Sequence, residues 1–234
     1  MPQSGCPGCS TSIPGSKSAF RSCMKTILLR GRTDVSHNST EDIAALIGSR
    51  ICHDLISPIG AVNNGLELLS LSGTPHSPEL SLVSDSAASA NARISLFRIA
   101  FGIAAEDQIT GREDLCRIWS AAMQDRRLEL DWYGPDSITR PLAQALVLAC
   151  LCLDKALPQG GTLNIREHRD IWNVTATGPS LKIEEELWTG LAQGEYTKDM
   201  EPSHVQFLLL PRCLVPLRRQ CLVELGERAI TLSF

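Results

Sequence analysis

The sequence predicts an α+β fold in which an N-terminal helical hairpin precedes a sandwich of helices on one face of a mixed β-sheet. Apolar residues recur at helical spacing over two long segments, which predicts the hairpin. The pattern changes near Glu106–Gly111, after which short β-prone runs alternate with helical segments. We therefore divide the 234-residue chain into a tail (1–38), a helical hairpin domain (39–106) and a C-terminal domain (112–234).

Composition narrows the class of protein. Apolar residues make up 43% of the chain and charged residues 21%, values typical of a soluble globular protein. A formal net charge of −4 argues against a nucleic-acid binder, which needs a basic surface. The longest apolar run, Ala145–Leu153, is shorter than the roughly twenty residues of a membrane span, and no signal peptide is recognisable. Nine cysteines, an odd number spread through apolar segments, predict reduced thiols and a cytoplasmic protein.

Residues 1–38 are predicted to be a disordered tail. They contain seven Ser, four Gly and three Pro, and too little apolar surface to offset the entropy of ordering them. Cys6 and Cys9 form a CxxC pair, but Cys23 and His37 lack the spacing of further zinc ligands. Basic, Ser-rich ends also serve as targeting segments, and Met24 is an alternative start; both interpretations stay open.

The first helix is predicted to begin at Ser39–Asp42, where hydroxyl side chains precede two acids. Pro58 removes a backbone donor and predicts a kink just after His53. The apolar stripe of this helix consists of Ile43, Ile47, Ile51, Leu55, Ile59, Val62, Leu66 and Leu69.

A turn at Ser72–Pro78 leads into the second helix, for which Pro78 is a favourable first residue. Because the connection is short, the two helices are predicted to form an antiparallel hairpin. One hairpin leaves much apolar surface exposed, so we expect a homodimer in which two hairpins form a four-helix bundle. The second stripe consists of Val83, Ala87, Ala90, Ile94, Phe97, Phe101 and Ala104.

The C-terminal domain is predicted to combine helices with short strands. Alternation of apolar residues, glycine and proline positions set the expected boundaries. The expected helices are Glu113–Arg126, Pro141–Leu157, Ile183–Ala192 and Val205–Arg219, and the expected strands are Leu128–Trp132, Thr162–Glu167, Ile171–Thr177, Cys221–Leu225 and Ala229–Phe234.

His53 is the candidate reactive residue. At about 100° per residue it lies roughly opposite the apolar stripe of the first helix, so it is expected to face solvent. Asp54 is expected to hydrogen-bond one ring nitrogen, which fixes the tautomer and leaves the other nitrogen nucleophilic. An ordinary surface histidine is the alternative.

The residues around His53 resemble a known family. The segment Cys52–Pro58 reads Cys-His-Asp-Leu-Ile-Ser-Pro, and its His-Asp-Leu-x-x-Pro pattern resembles the phosphoacceptor box of sensor histidine kinases. Together with Asn63–Leu69, it resembles more narrowly the ChpT-like histidine phosphotransferases of alphaproteobacteria, over about residues 39–234. The resemblance implies a dimeric four-helix bundle that carries the phosphorylated histidine and a degenerate kinase ATPase-like domain.

The nucleotide-binding boxes of a working kinase are missing where the resemblance would place them. The two asparagine positions of the Mg²⁺–ATP helix fall near Leu148 and Cys152, neither of which offers a hard oxygen ligand. The adenine-binding Asp-x-Gly-x-Gly pattern is replaced by Ala176–Ser180, which reads Ala-Thr-Gly-Pro-Ser. The phosphate loop should lie near Pro202–Leu210, which contains no glycine.

The resemblance implies a relay from the receiver domain of a hybrid histidine kinase to response regulators, including the CtrA type. We predict a phosphotransferase in which His53 accepts the phosphoryl group and Asp54 holds the ring. Arg50 either neutralises phosphate oxygens or is an ordinary surface arginine. Mg²⁺ should come from the receiver, so no cofactor or metal of this chain is expected. An ATP-dependent histidine kinase with divergent boxes and a non-catalytic interaction module remain as alternatives.

A receiver-docking face is predicted on the His53 side of the first helix. Glycine within a helix costs roughly 0.5–1 kcal/mol relative to alanine, so Gly60 suggests close approach by a partner. Relief near Pro58 is the other explanation for this glycine. The predicted face consists of Leu46, Ile56, Ser57, Gly60 and Asn64.

Overall fold

The computed structural model describes residues 25–27, 40–72, 78–194 and 200–234. The predicted tail is wrong for three of its residues, because Lys25–Ile27 forms a strand (β1). This short β-prone segment pairs with an edge strand whose backbone groups would otherwise lack partners. The rest of the tail, including the CxxC pair, lies outside the described residues.

Two long helices form the N-terminal part of the molecule. Helix α1 spans Thr40–Ser72 and helix α2 spans Pro78–Ala100. The helices pack against each other, and the five residues between them require an antiparallel arrangement. Most of the predicted turn between them lies outside the described residues. Helix α1 continues through Pro58, so the carbonyl of Asp54 lacks its usual helical donor.

The C-terminal part is built from a mixed sheet, as predicted. Besides β1, its strands are β3 (Leu128–Tyr133), β5 (Gly161–His168), β6 (Ile171–Thr177), β7 (Leu222–Leu225) and β8 (Ala229–Ser233). The strand order is β1-β7-β8-β6-β5-β3, and β3 and β5 form its parallel pair. Buried residues alternate with less buried ones in β5 and β6, which places one face of the sheet on the core.

Four helices accompany this sheet. The most apolar, α4, is buried almost throughout because apolar residues occupy all sides of it. Trp188 and Phe207 from two other helices meet edge to face beside it, with ring centroids 5.2 Å apart. The helices are α3 (Arg112–Ala122), α4 (Arg140–Asp154), α5 (Glu185–Gln193) and α6 (Val205–Leu214). This arrangement confirms the predicted α+β class.

The end of α6 and a small second ladder differ from the sequence prediction. Helix α6 ends at Leu214 rather than Arg219, because Pro216 cannot supply a helical N–H. Strands β2 (Ile109–Gly111) and β4 (Ser137–Thr139) form a small separate ladder that was not predicted. Three-residue strands are too short to show a clear alternation of apolar and polar residues.

The hairpin is joined to the sandwich at the C-terminal end of α2. The last carbonyls of a helix have no intrahelical donor and need other partners. Arg140 donates to the Arg98 carbonyl at 2.7 Å, and the Gln144 amide donates to the Ala100 and Gly102 carbonyls at 3.0 and 2.9 Å. Side chains from α4 therefore supply hydrogen-bond donors to carbonyls at the C-terminal end of α2.

Gly160 is required by a close backbone approach. Its φ of +84° lies in the left-handed region, and an added Cβ would stand 2.6 Å from the Arg127 carbonyl oxygen. Gly194 has a similar φ of +72°, but its added Cβ would meet nothing within 4 Å. The two glycines therefore share a left-handed backbone conformation, but only Gly160 is closely packed against another part of the backbone.

We expect Gly160→Ala to lower the free energy of unfolding by about 2 kcal/mol or more, since strain and clash combine. Gly194→Ala should cost about 1 kcal/mol from the left-handed conformation alone. Urea unfolding of the two variants measures both values. Equal losses would contradict the proposed close approach at Gly160.

Candidate functional site

His53 stands on the surface of α1 beside a hydrogen-bonding partner. Its side chain is 80% exposed, and its Nδ1 lies 3.0 Å from Oδ1 of Asp54. With the hydrogen on Nδ1, the ring donates to the carboxylate and Nε2 retains its lone pair. The arrangement supplies an accessible nitrogen nucleophile on a ring that a carboxylate orients.

Arg50 lies one turn before Asp54 and is 8% exposed. Its Nε is 2.8 Å from Oδ2 of Asp54, and its Nη1 donates to the backbone carbonyl of Ser203 at 2.7 Å. Two of its three nitrogens, Nε and Nη1, are thus bound to protein acceptors, which leaves the guanidinium less available for phosphate oxygens than the predicted role requires. The geometry instead makes Arg50 a support for Asp54.

Two residues that were not predicted from the sequence hold Arg50 in place. Ser203, in a single 3-10 turn before α6, contributes its carbonyl, and Gln206 in α6 donates to that same carbonyl at 3.0 Å. The Gln206 amide also donates to the carbonyl of Leu151 in α4 at 3.3 Å. A glutamine within the apolar run Val205–Leu210 was a usable signal, because a buried amide needs partners. A backbone carbonyl carries no side-chain signal.

Lys155 and His204 of the C-terminal domain lie near this ion pair. Burial lowers the pKa of Lys155, the charge of Arg50 lowers it further, and the carboxylates of Asp154 and Asp54 act in the opposite direction. Burial and the charge of Lys155 together lower the pKa of His204. Lys155 and Asp54 are therefore close enough to interact electrostatically across the boundary between α1 and the C-terminal domain.

The predicted docking residues divide into two groups. Ile56, Ser57 and Asn64 are exposed, as expected for an outer face, whereas Leu46 and Gly60 are half-buried. Leu46 therefore offers less surface to a partner than the projection implied. A Cβ added at Gly60 would meet nothing within 4 Å, so packing inside this chain does not require the glycine.

The residues at the expected nucleotide boxes take part in the core. Leu148 and Cys152 are fully buried in α4. At Gly178, an added Cβ would stand 2.7 Å from Cδ2 of Leu157 and 2.8 Å from the Gly160 carbonyl oxygen. This glycine allows close packing of the loop after β6 against the end of α4.

The remaining candidate residues form no further cluster in the described part of the chain. No group of three His, Cys, Asp or Glu side chains there is placed to hold a metal ion. His37 and His76 lie outside the described residues. Cys150, Cys152 and Cys221 are buried free thiols, and burial raises the pKa of each. None of the described helices is long and apolar enough to cross a membrane.

Three comparisons show which known proteins this chain resembles. A family model described as the histidine phosphotransferase C-terminal domain matches residues 112–228. Protein phosphotransferase ChpT of Brucella abortus (strain 2308) is 38% identical over 132 residues, which span 55% of this chain and 62% of that protein. The 1.7 Å structure of a bacterial phosphotransferase superposes with a TM-score of 0.71 at 28% identity, covering 85% of this chain and 98% of the other.

Proposed function

Because this chain belongs to the histidine phosphotransferase family, we propose that it relays a phosphoryl group through His53. The observation that carries the proposal is an 80% exposed imidazole whose Nδ1 is 3.0 Å from a carboxylate oxygen of Asp54. This ring has a free, accessible nitrogen and a fixed orientation, the two properties that a phosphoacceptor needs.

The chemistry consists of two in-line transfers. The Nε2 lone pair of His53 attacks phosphorus of a receiver aspartyl phosphate, an N–P bond forms, and the P–O bond to the aspartate breaks with its electron pair on the carboxylate. Asp54 stabilises the positive charge that develops on the ring while the hydrogen stays on Nδ1. A second receiver's aspartate then attacks phosphorus and releases the imidazole. Such transfers depend on positioning and charge neutralisation, with Mg²⁺ supplied by the receiver and no cofactor from this chain.

The proposed partners are the receiver domain of a hybrid histidine kinase and response regulators of the CtrA type, in the cytoplasm. ATP is not the proposed phosphoryl donor. The buried Leu148 and Cys152 support this view, since they occupy the positions where a kinase would present Mg²⁺ ligands.

We further propose that the chain works as a homodimer joined through its hairpins. Several large apolar side chains of the hairpin remain exposed in a single chain, more than isolated surface residues would account for. Phe97 does not belong to this set, because it is buried and stacks on Phe101 with ring centroids 5.4 Å apart. The exposed set on α1 and α2 is Ile59, Leu66, Leu68, Leu71, Leu80, Leu82 and Ile94, and Ile56 is exposed on the predicted docking face.

The central test is transfer of label from a phosphorylated receiver. Wild type and His168→Ala, which removes another exposed histidine, should both acquire acid-labile phosphate, and His53→Ala should acquire none. The His53→Ala fold should persist, because an exposed side chain contributes little packing energy. Labelled His53→Ala would overturn the assignment. Label acquired from ATP alone would indicate a kinase, and an unlabelled wild type an interaction module.

The dimer is tested by placing a charge on the exposed apolar surface. Leu66, which is 52% exposed in the single chain, becomes buried in the proposed bundle, where an unpaired carboxylate costs several kcal/mol. Leu66→Asp should therefore be a folded monomer by light scattering. Ile171→Asp, at a comparably exposed residue of the sheet, should remain dimeric. A monomeric wild type at micromolar concentration would refute the bundle.

The docking face is tested with two glycines of α1 at which an added Cβ would meet nothing within 4 Å. Gly60 lies within about 20° of His53 around the helix, and Gly48 lies about 140° away. Gly60→Leu and Gly48→Leu should both be as stable as wild type or more so. Gly60→Leu alone should slow transfer from the receiver, by about tenfold or more if roughly 1.4 kcal/mol of docking energy is lost.

Transfer at the wild-type rate by Gly60→Leu would remove the docking face and leave only His53 and Asp54 in the site. Equal slowing by both leucine variants would mean that helix bulk, not this face, limits transfer.

A further inference from the structure

A continuous chain of contacts joins the core of the C-terminal domain to the imidazole of His53. It runs from Gln206 to the Ser203 carbonyl, from there to Arg50, and from Arg50 through Asp54 to the ring. We propose that Arg50 and Gln206 are positioning residues that fix the Nδ1–H tautomer of His53 for phosphoryl acceptance. This inference rests on the proposed function and adds a role for the C-terminal domain.

The contact between His53 and Asp54 needs such support. Neighbouring residues in a helix point about 100° apart and do not face each other, so helix geometry alone does not hold an adjacent pair together. His53 is also largely exposed, which allows water to compete for the carboxylate. Something else must therefore hold Asp54 turned toward the ring.

Arg50 supplies that restraint. Its Nε engages Oδ2 of Asp54, while Oδ1 of the same carboxylate remains for His53. Because the two oxygens of a carboxylate move together, fixing Oδ2 also fixes Oδ1. The planar guanidinium reaches Asp54 and the Ser203 carbonyl at once, a geometry that a lysine ammonium cannot reproduce.

Gln206 fixes the end of this series of contacts that lies farthest from His53. It is 1% exposed, and its amide nitrogen joins the Ser203 carbonyl to the Leu151 carbonyl of α4. The acceptor for Arg50 is thereby tied to the most buried helix of the domain. The C-terminal domain thus acts on the phosphoacceptor as a rigid anchor.

The experiment measures the tautomer directly, by ¹⁵N NMR of the histidine rings in the unphosphorylated full-length chain at about pH 8, where imidazole is neutral. The His53 signals are assigned by their absence in His53→Ala. Two variants interrupt this series of contacts at different points. Gln206→Leu removes both of its bonds to carbonyls, and Arg50→Lys keeps the positive charge but cannot contact Asp54 and the Ser203 carbonyl at once. The matched control is Gln144→Leu. Like Gln206→Leu, it removes the hydrogen bonds of one glutamine to two backbone carbonyls, but the bonds of Gln144 join α4 to the end of the hairpin and do not involve Arg50.

In wild type and Gln144→Leu, the Nδ1–H tautomer of His53 should dominate. In Gln206→Leu and Arg50→Lys, the Nε2–H tautomer that a free imidazole favours should become the major form, and phosphoryl acceptance should slow by about tenfold or more. An unchanged tautomer in both variants, or an equal change in Gln144→Leu, would overturn the inference. The NMR result is independent of transfer, so a wild type that accepts no phosphate would count against the proposed function alone.

Discussion

The ion pair between Arg50 and Asp54 is the interaction on which the candidate site depends, because it reconciles two opposed requirements. A phosphoacceptor histidine must be exposed to meet a partner, yet its ring must keep one orientation and one tautomer. An exposed ring is free to rotate, and here the rotation of the His53 ring is limited by neighbouring residues that are themselves largely buried. Asp54 and Arg50 are both largely covered, whereas His53 is 80% exposed. Rigidity therefore comes from the covered residues and reactivity from the exposed one.

The C-terminal domain contributes to this arrangement through its core. Helix α4 is apolar on all sides and fills the centre of the sandwich, so Leu148 and Cys152 lie inside rather than facing a ligand. The same burial makes α4 a fixed reference for the Leu151 carbonyl, and through Gln206 for Ser203. This buried helix is thus well suited to hold a neighbouring helix in place.

Much of this fold could be predicted from the sequence where elements are long enough to show a period. The hairpin helices, α4 and the β5–β6 pair follow from apolar spacing and from the turn at His168–Asp170, where Arg169 and Asp170 adopt positive φ. The short strands β1, β2 and β4 show no clear period and were missed. At the site, the sequence predicted the His53–Asp54 contact from adjacency. The i,i+4 spacing of Arg50 and Asp54 was a usable signal for their ion pair. The other partner of Arg50 could not be predicted, because it is the backbone carbonyl of a residue 153 positions away.

The faces of α1 allow dimerisation and receiver docking to proceed together in the proposed relay. Ile59 and Leu66 lie about 120–140° around the helix from His53, whereas Gly60 and Asn64 lie within about 20° of it. A second hairpin packed on Ile59 and Leu66 would therefore leave the His53 side open in both subunits. Arg50 and Asp54 lie between the His53 side and the Ile59–Leu66 side of α1. Arg50 contacts the carbonyl of Ser203 in the same chain. In this proposal, dimerisation, receiver docking and the contact with Ser203 therefore use different faces of α1. The observed contacts that orient His53 all come from its own chain.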